Sequence, residues 1–193
     1  MDINIKFVTK WLLKFDKNES KGRAALAILK RGIAKPPGEY REMYSYILPF
    51  LANEEDGSQE GFSWKQQCYF LTASLFAMNP IQNPNYSFAE AMHYVKIQKD
   101  SGSIEKRFMA ILSCRREDLP KHLRHAVSLI EAEKISFDWI RFLRDIKRWS
   151  DTYRLVQKKW AKEYWSKDFN AIDIEEDNQG INKTYEEDNS DED

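Results

Sequence analysis

Apolar positions recur at three- and four-residue spacings along most of the chain, and no useful stretch alternates apolar and polar at period two. That pattern predicts helices only. The first spans residues 3–17, with Ile5, Val8, Leu12 and Phe15 on one face, Trp11 beside them, and Lys6, Lys10, Lys14 and Lys17 opposite. A second over about 20–31 turns Ala24, Leu26, Ala27, Ile28 and Leu29 inward and is expected to stop at Gly32 through a left-handed cap. Pro36-Pro37-Gly38 is a rigid break. Residues 39–52 return to helix through Met43, Tyr44, Ile47, Leu48 and Leu51, with Pro49 bending or ending it. Residues 53–61 read as an acidic loop. The stretch 62–78 is apolar on nearly every side, which predicts a central buried helix. Asn79-Pro80 stops it, and a short helix around 88–97 points Ala91, Met92 and Val95 inward.

After Lys99-Asp100-Ser101-Gly102 come four short amphipathic helices over 103–165. Ile104, Phe108, Ile111 and Leu112 form one stripe, and Leu119, Leu123, Ala126, Val127 and Ile130 the next, which opens at Asp118-Leu119-Pro120. Ser136 is a candidate cap for a helix burying Phe137, Trp139, Ile140 and Leu143. Asp151 is expected to start the last, with Tyr153, Val156, Trp160 and Tyr164 on one stripe. The fold expected is all-α, a bundle of about eight or nine short helices in two packed lobes, 1–98 and 103–170. Residues 171–193 are too acidic and too poor in apolar side chains to bury a core, and are expected to form a disordered tail.

Charge changes this picture. The formal net charge is −1, yet 171–193 holds ten Asp or Glu and one Lys, a net of −9. That leaves 29 basic and 21 acidic side chains in 1–170, a net of +8. A basic body points to a polyanion, and arginine suits phosphate because its planar fork binds two oxygens at once. The candidate nucleic-acid-binding residues are Arg23, Lys30 and Arg31 from the first lobe and Lys106, Arg107, Arg115, Arg116 and Arg124 from the second.

Other chemistries find little support. His122 and His125 sit three apart on one helix, but no cysteine or carboxylate cluster joins them at ligand spacing, so no metal is expected. Asp138 and Asp145 are two turns apart, too far for a carboxylate dyad. No Walker loop, dinucleotide fingerprint or nucleophile elbow occurs. A non-catalytic protein without a cofactor is expected. Alternating tryptophans and lysines in the last helix are better explained by packing than by a membrane surface. Cys68 and Cys114 read as free, at least partly buried thiols of a cytoplasmic protein.

Several segments carry a resemblance. Ser-Ile-Glu-Lys-Arg-Phe at 103–108, Asp-Leu-Pro-x-x-Leu-Arg at 118–124, Phe-Asp-Trp at 137–139 and Lys-Lys-Trp-Ala at 158–161 resemble the CasB family. Upstream, Gly-Arg-Ala-Ala-Leu-Ala-Ile-Leu-Lys-Arg-Gly at 22–32 resembles its arginine-bearing N-terminal helix, and residues 46–50 its Pro-Phe segment. The likeness covers about 1–170 and lies in the order of the motifs together. It implies the non-catalytic small subunit of Cascade, the type I-E CRISPR surveillance complex. By the same resemblance the partners are the backbone and large PAM-reading subunits, a second copy of the chain, crRNA and target DNA with its displaced strand. The implied role is to stabilise the R-loop in antiviral defence. From the residues alone, a helical adaptor whose basic face meets an acidic protein stays open.

Overall fold

The computed structural model describes residues 6–15, 19–51 and 61–166. The expectations for the acidic loop up to residue 60, for Ile5 and Lys17, and for the tail 171–193 lie outside them, as do the side chains of Lys10 and Trp11. The described residues are helical with no strand; one isolated parallel bridge joins Gln82 and Phe137. Among them no helix is long and apolar enough to cross a membrane.

Among the described residues, eight α-helices follow a short N-terminal segment: α1 Ser20–Arg31, α2 Tyr44–Leu51, α3 Trp64–Phe76, α4 Phe88–Lys99, α5 Gly102–Ser113, α6 Leu119–Ala132, α7 Trp139–Lys147 and α8 over 155–166. α3 is the hub, as its all-round apolarity predicts: its residues from Cys68 to Phe76 are all buried. It packs against α1, α2, α6 and α7. Ser63 and Gln66 close a reciprocal capping box at its start, and Ser87 and Glu90 do the same for α4. Near the middle of α3, Phe7 meets Tyr69 edge-to-face at 5.0 Å, and at its C-terminal end Phe76 meets Trp139 at 5.7 Å. Trp139 leads through Phe137 and Phe88 to Trp160, a continuous aromatic seam.

Several local expectations need correction. The N-terminal segment is not a regular α-helix: Lys6–Trp11 winds as a π-helix and Leu12–Lys14 as a 3₁₀ turn. The five-residue repeat of the π turn brings Phe7 to the same side as Leu12, so Phe7, absent from the α-periodic stripe, is fully buried. Gly32 has φ −57° and continues into a 3₁₀ turn, Gly32–Ala34. Its role is close approach, since a Cβ there would lie 2.2 Å from Met43 Sδ and 2.8 Å from Ser74 Oγ. Ala24 and Ala27 of α1 face out, while Gly22 and Ala25 take the core positions. Asp138, not Ser136, caps α7, accepting from the N–H groups of Ile140 and Arg141. Finally, α8 starts four residues past Asp151, which instead anchors the preceding turn, and Tyr153 is 73% exposed.

The linker 79–86 is pinned to the entry of α7. Gln82 Nε2 donates to Asp138 Oδ1 at 2.7 Å, Trp139 N–H to Gln82 Oε1 at 2.8 Å, and Asp138 N–H to Tyr86 O at 2.8 Å. Asn79 and Trp139 add bonds to the Ile135 and Ile81 carbonyls.

Candidate nucleic-acid interface

α5 buries Ile104, Phe108, Ile111 and Leu112, and α6 buries Leu119, Leu123, Ala126, Val127 and Ile130. Helical period then fixes where the cations go: Lys106 and Arg107 project from α5, and Lys121, Arg124 and His125 from α6, all exposed. Pro120 fits the first turn of α6, where its missing N–H costs nothing. The two helices are neighbours, joined by a turn in which the N–H groups of Asp118 and Leu119 donate to Arg115 O. Between them runs a groove of about 330 Å³ with Ala110, Ile111, Ala126 and Leu129 as its floor and Lys106, Arg107, Lys121, His122 and His125 on its rim.

A second groove, of about 430 Å³, lies on the other side of α6 against the 32–37 segment, over Leu71 and Ser74. Lys121 and His125 line both grooves, and the second adds Lys35 and Arg124. Together they form one track across α6. Arg124 Nη1 also donates to Ile33 O at 3.1 Å, tying α6 to the turn after α1. Among the described residues, Lys106, Arg107 and Lys121 have no carboxylate within ion-pair distance. Unneutralised cations over an apolar floor concentrate positive potential where an anion would lie.

The eight sequence candidates are therefore dispersed. Lys106, Arg107 and Arg124 share the track. Arg115 and Arg116 line a separate hollow with Trp149, Ser150 and Arg154. There Arg116 pairs with Glu117 at 2.8 Å and, with the Glu117 backbone, holds that carboxyl below its usual range. Arg23, Lys30 and Arg31 are exposed on α1 and line none of these grooves. Arg31 faces Tyr40, whose phenol is pushed up, chiefly by its hydrogen bond to Glu42. Lys35, Lys121, His125 and Arg154 are outside the sequence candidates. Lys121 and His125 were legible as the polar side of the α6 period. Lys35 and Arg154 lie in irregular segments where no period operates.

His122 and His125 are joined by no third metal-ligating side chain among the described residues. Burial pushes the Cys114 thiol up to about 11, with Asp118 adding to the shift, so it is not a thiolate nucleophile at neutral pH.

Fold and site together define an all-α protein with a cation-lined helical surface. Residues 25–165 match the family model for CRISPR-associated protein Cse2, and the chain belongs to that family. It is 37% identical over 143 residues to CRISPR-associated protein Cse2 of Thermus thermophilus, covering 74% of this chain and 79% of that one. The crystal structure of a Cse2-family protein from the same organism is similar, with a TM-score of 0.72 at 32% identity, over 86% of this chain and 99% of that one. CasB of M. ruber matches at TM-score 0.72 and 28% identity, over 90% and 98%. A chain of a solved CRISPR RNA-guided surveillance complex, at 20% identity, shares the fold with a TM-score of 0.66 over 84% of this chain and 91% of that one.

Proposed function

We propose that this chain is the non-catalytic small subunit of a type I-E CRISPR Cascade complex, a cytoplasmic antiviral assembly. In this reading it binds the backbone and large PAM-reading subunits, a second copy of itself, and the crRNA–target DNA hybrid with its displaced strand. The lobe over 103–170 supplies most of the contact and the lobe over 1–98 buttresses it. Family membership supports the assembly, and the observation that carries the nucleic-acid role is the track itself: Lys106, Arg107 and Lys121 stand without carboxylate partners among the described residues.

The physics fits that role. Exchanging a DNA duplex for an RNA–DNA hybrid is close to energetic balance, so a few backbone contacts decide how long the R-loop persists. Contacts to phosphate carry no base code, which a complex accepting any target requires. The test is binding of single-stranded DNA across a salt series. Each phosphate contact contributes roughly −0.7 to the log–log slope on a single strand. Replacing Arg107 and Lys121 with alanine should weaken binding to all sequences alike and flatten the slope by about two contacts' worth. Unchanged slope and unchanged R-loop lifetime in the assembled complex would sink the proposal. Arg124 is a poorer choice, because its loss also frees the Ile33 carbonyl.

The apolar floor of Ala110, Ile111, Ala126 and Leu129 favours a second reading, in which the basic face meets an acidic polypeptide. A titration with an acidic protein, run beside the DNA series, separates the two.

A further inference from the structure

We propose that the acidic segment 171–193 is an intramolecular occupant of the α5–α6 groove, with Ile172 and Ile174 on the apolar floor and the carboxylates of residues 173–177 against Lys106, Arg107 and Lys121. The consequence for nucleic acid, that the segment competes with phosphate for the same cations, rests on the function proposed above. The docking itself does not.

Three observations carry this. The first is where the described chain ends. Near the end of α8, Tyr164 stacks on Phe108 at 4.2 Å and Trp165 meets the same ring edge-to-face at 5.9 Å. Phe108 neighbours Arg107, so the last described turn of α8 lies alongside the helix that forms one wall of the groove. Ile172 is only six residues beyond 166, a reach of about 20 Å when extended. That is close to the full length of α6, about 21 Å for its 14 residues. The second is chemical match. The segment Ile-Asp-Ile-Glu-Glu-Asp at 172–177 places two aliphatic side chains among four carboxylates. The groove offers two alanines, an isoleucine and a leucine between two lysines and an arginine.

The third is that two cations of the basic face on α7 and α8 are already taken, Arg141 by Glu163 at 3.1 Å and Lys159 by Asp145 at 2.8 Å, whereas among the described residues Lys106, Arg107 and Lys121 meet no carboxylate at ion-pair distance. A tethered segment also acts at an effective concentration in the millimolar range, so weak contacts suffice for occupancy.

The test uses the full chain at low ionic strength, with a carbodiimide that joins carboxylates to lysines in direct contact, followed by peptide mapping of the monomer band. The expected adducts join Lys106 or Lys121 to residues 173–177, in clear excess over adducts to Lys30 and Lys65. A second variant, Ile172→Ser with Ile174→Ser, keeps every charge but removes the apolar anchors. It should lose most of these adducts and bind a single-stranded oligothymidylate several-fold more tightly. Specific adducts in wild type with no DNA binding by either protein would support docking while removing the nucleic-acid reading. The docking proposal is overturned if adducts spread evenly over Lys30, Lys65, Lys106 and Lys121. It is equally overturned if they survive unchanged in the serine variant, or appear only in crosslinked dimers.

Discussion

On the α7–α8 face, Asp145 accepts from Lys159 Nζ at 2.8 Å and from Trp160 Nε1 at 2.7 Å, while Arg141 reaches Glu163 at 3.1 Å. On the α5–α6 face, Lys106, Arg107 and Lys121 rim a groove with no carboxylate at bonding distance among the described residues. In sequence the two regions look alike, short amphipathic helices with a cationic side. The difference is that Asp145 and Glu163 lie across from the cations of their own face, whereas the acidic neighbours of the other face are held by different cations, even though Glu117 also lines the second groove. Glu105 pairs with Lys96 at 3.4 Å and Glu117 with Arg116 at 2.8 Å. A cation count therefore says little about binding until the placement of the carboxylates is known.

The largest effect that distinguishes the faces is on stability. Asp145→Ala removes the acceptor of a fully buried tryptophan N–H and of a lysine, leaving the indole donor without its partner. The expected loss is about 3 kcal/mol, most of it from the buried donor, because the half-exposed Lys159 is screened by solvent. Lys121→Ala should stay within about 0.5 kcal/mol of the parent. Urea denaturation checks both through the midpoint at constant slope. Equal losses would dissolve the distinction between a structural and a free cationic face.

Next in size is the wall of the track. Gly32→Ala forces a methyl group against Met43 Sδ and Ser74 Oγ, and Met43 is itself buried, so it has little room to yield. A cost of about 1–3 kcal/mol is expected. The displaced 32–34 turn would also carry the Ile33 carbonyl away from Arg124. Gly102→Ala, with nothing within 4 Å of the added methyl, serves as the control and should be close to neutral.

Gly32 also shows where reading the sequence succeeded and failed. That the chain breaks near residue 32 was legible, as were the central burial of α3 and the stripes of α5 and α6, because each is a local pattern. The reason for the glycine was not, since Met43 and Ser74 come from other elements. Phe7 escaped for a related reason: a π turn shifts the period on which the stripe was counted. The cap of α7 falls at Asp138 because Gln82, 56 residues away, helps hold that carboxylate in place. For the site, helical period gave the exposure of Lys106, Arg107 and Lys121. It gave no sign that Lys35 closes the same track from an irregular segment, nor that Arg116 is neutralised by Glu117.

A third comparison is functional. Removing Arg107 and Lys121 together should flatten the salt dependence of single-strand binding by about 1.4, whereas removing Arg141 should change it by much less than one contact. Arg141 already has a carboxylate partner, so its charge is largely compensated before DNA arrives. Flattening by a full contact, about 0.7, on removing Arg141 alone would mean that net charge and not placement governs binding.

The smallest expected effect lies at the seam where the two faces meet. Cys114 ends α5, its carbonyl accepts from Trp149 Nε1 at 3.3 Å, and Arg154 donates to the neighbouring Leu112 carbonyl. Burial first, then Asp118, pushes its thiol from 9.0 up to about 11. That rise leaves about a hundredfold less thiolate in the folded chain near pH 8, so iodoacetamide should label it about that much more slowly than after unfolding. Cys68, fully buried, should react only on unfolding, and Cys114→Ser identifies the slow native phase. The sign for stability follows from the raised value. The protonated thiol's contribution is intact below the unfolded pKa and is lost as pH rises through about 11, so the seam should loosen above about pH 9 and not in acid. Native labelling at the unfolded rate would show that the junction between α5 and the turn before α8 opens freely. The two faces would then move independently, and the carboxylates of one would be able to reach the cations of the other.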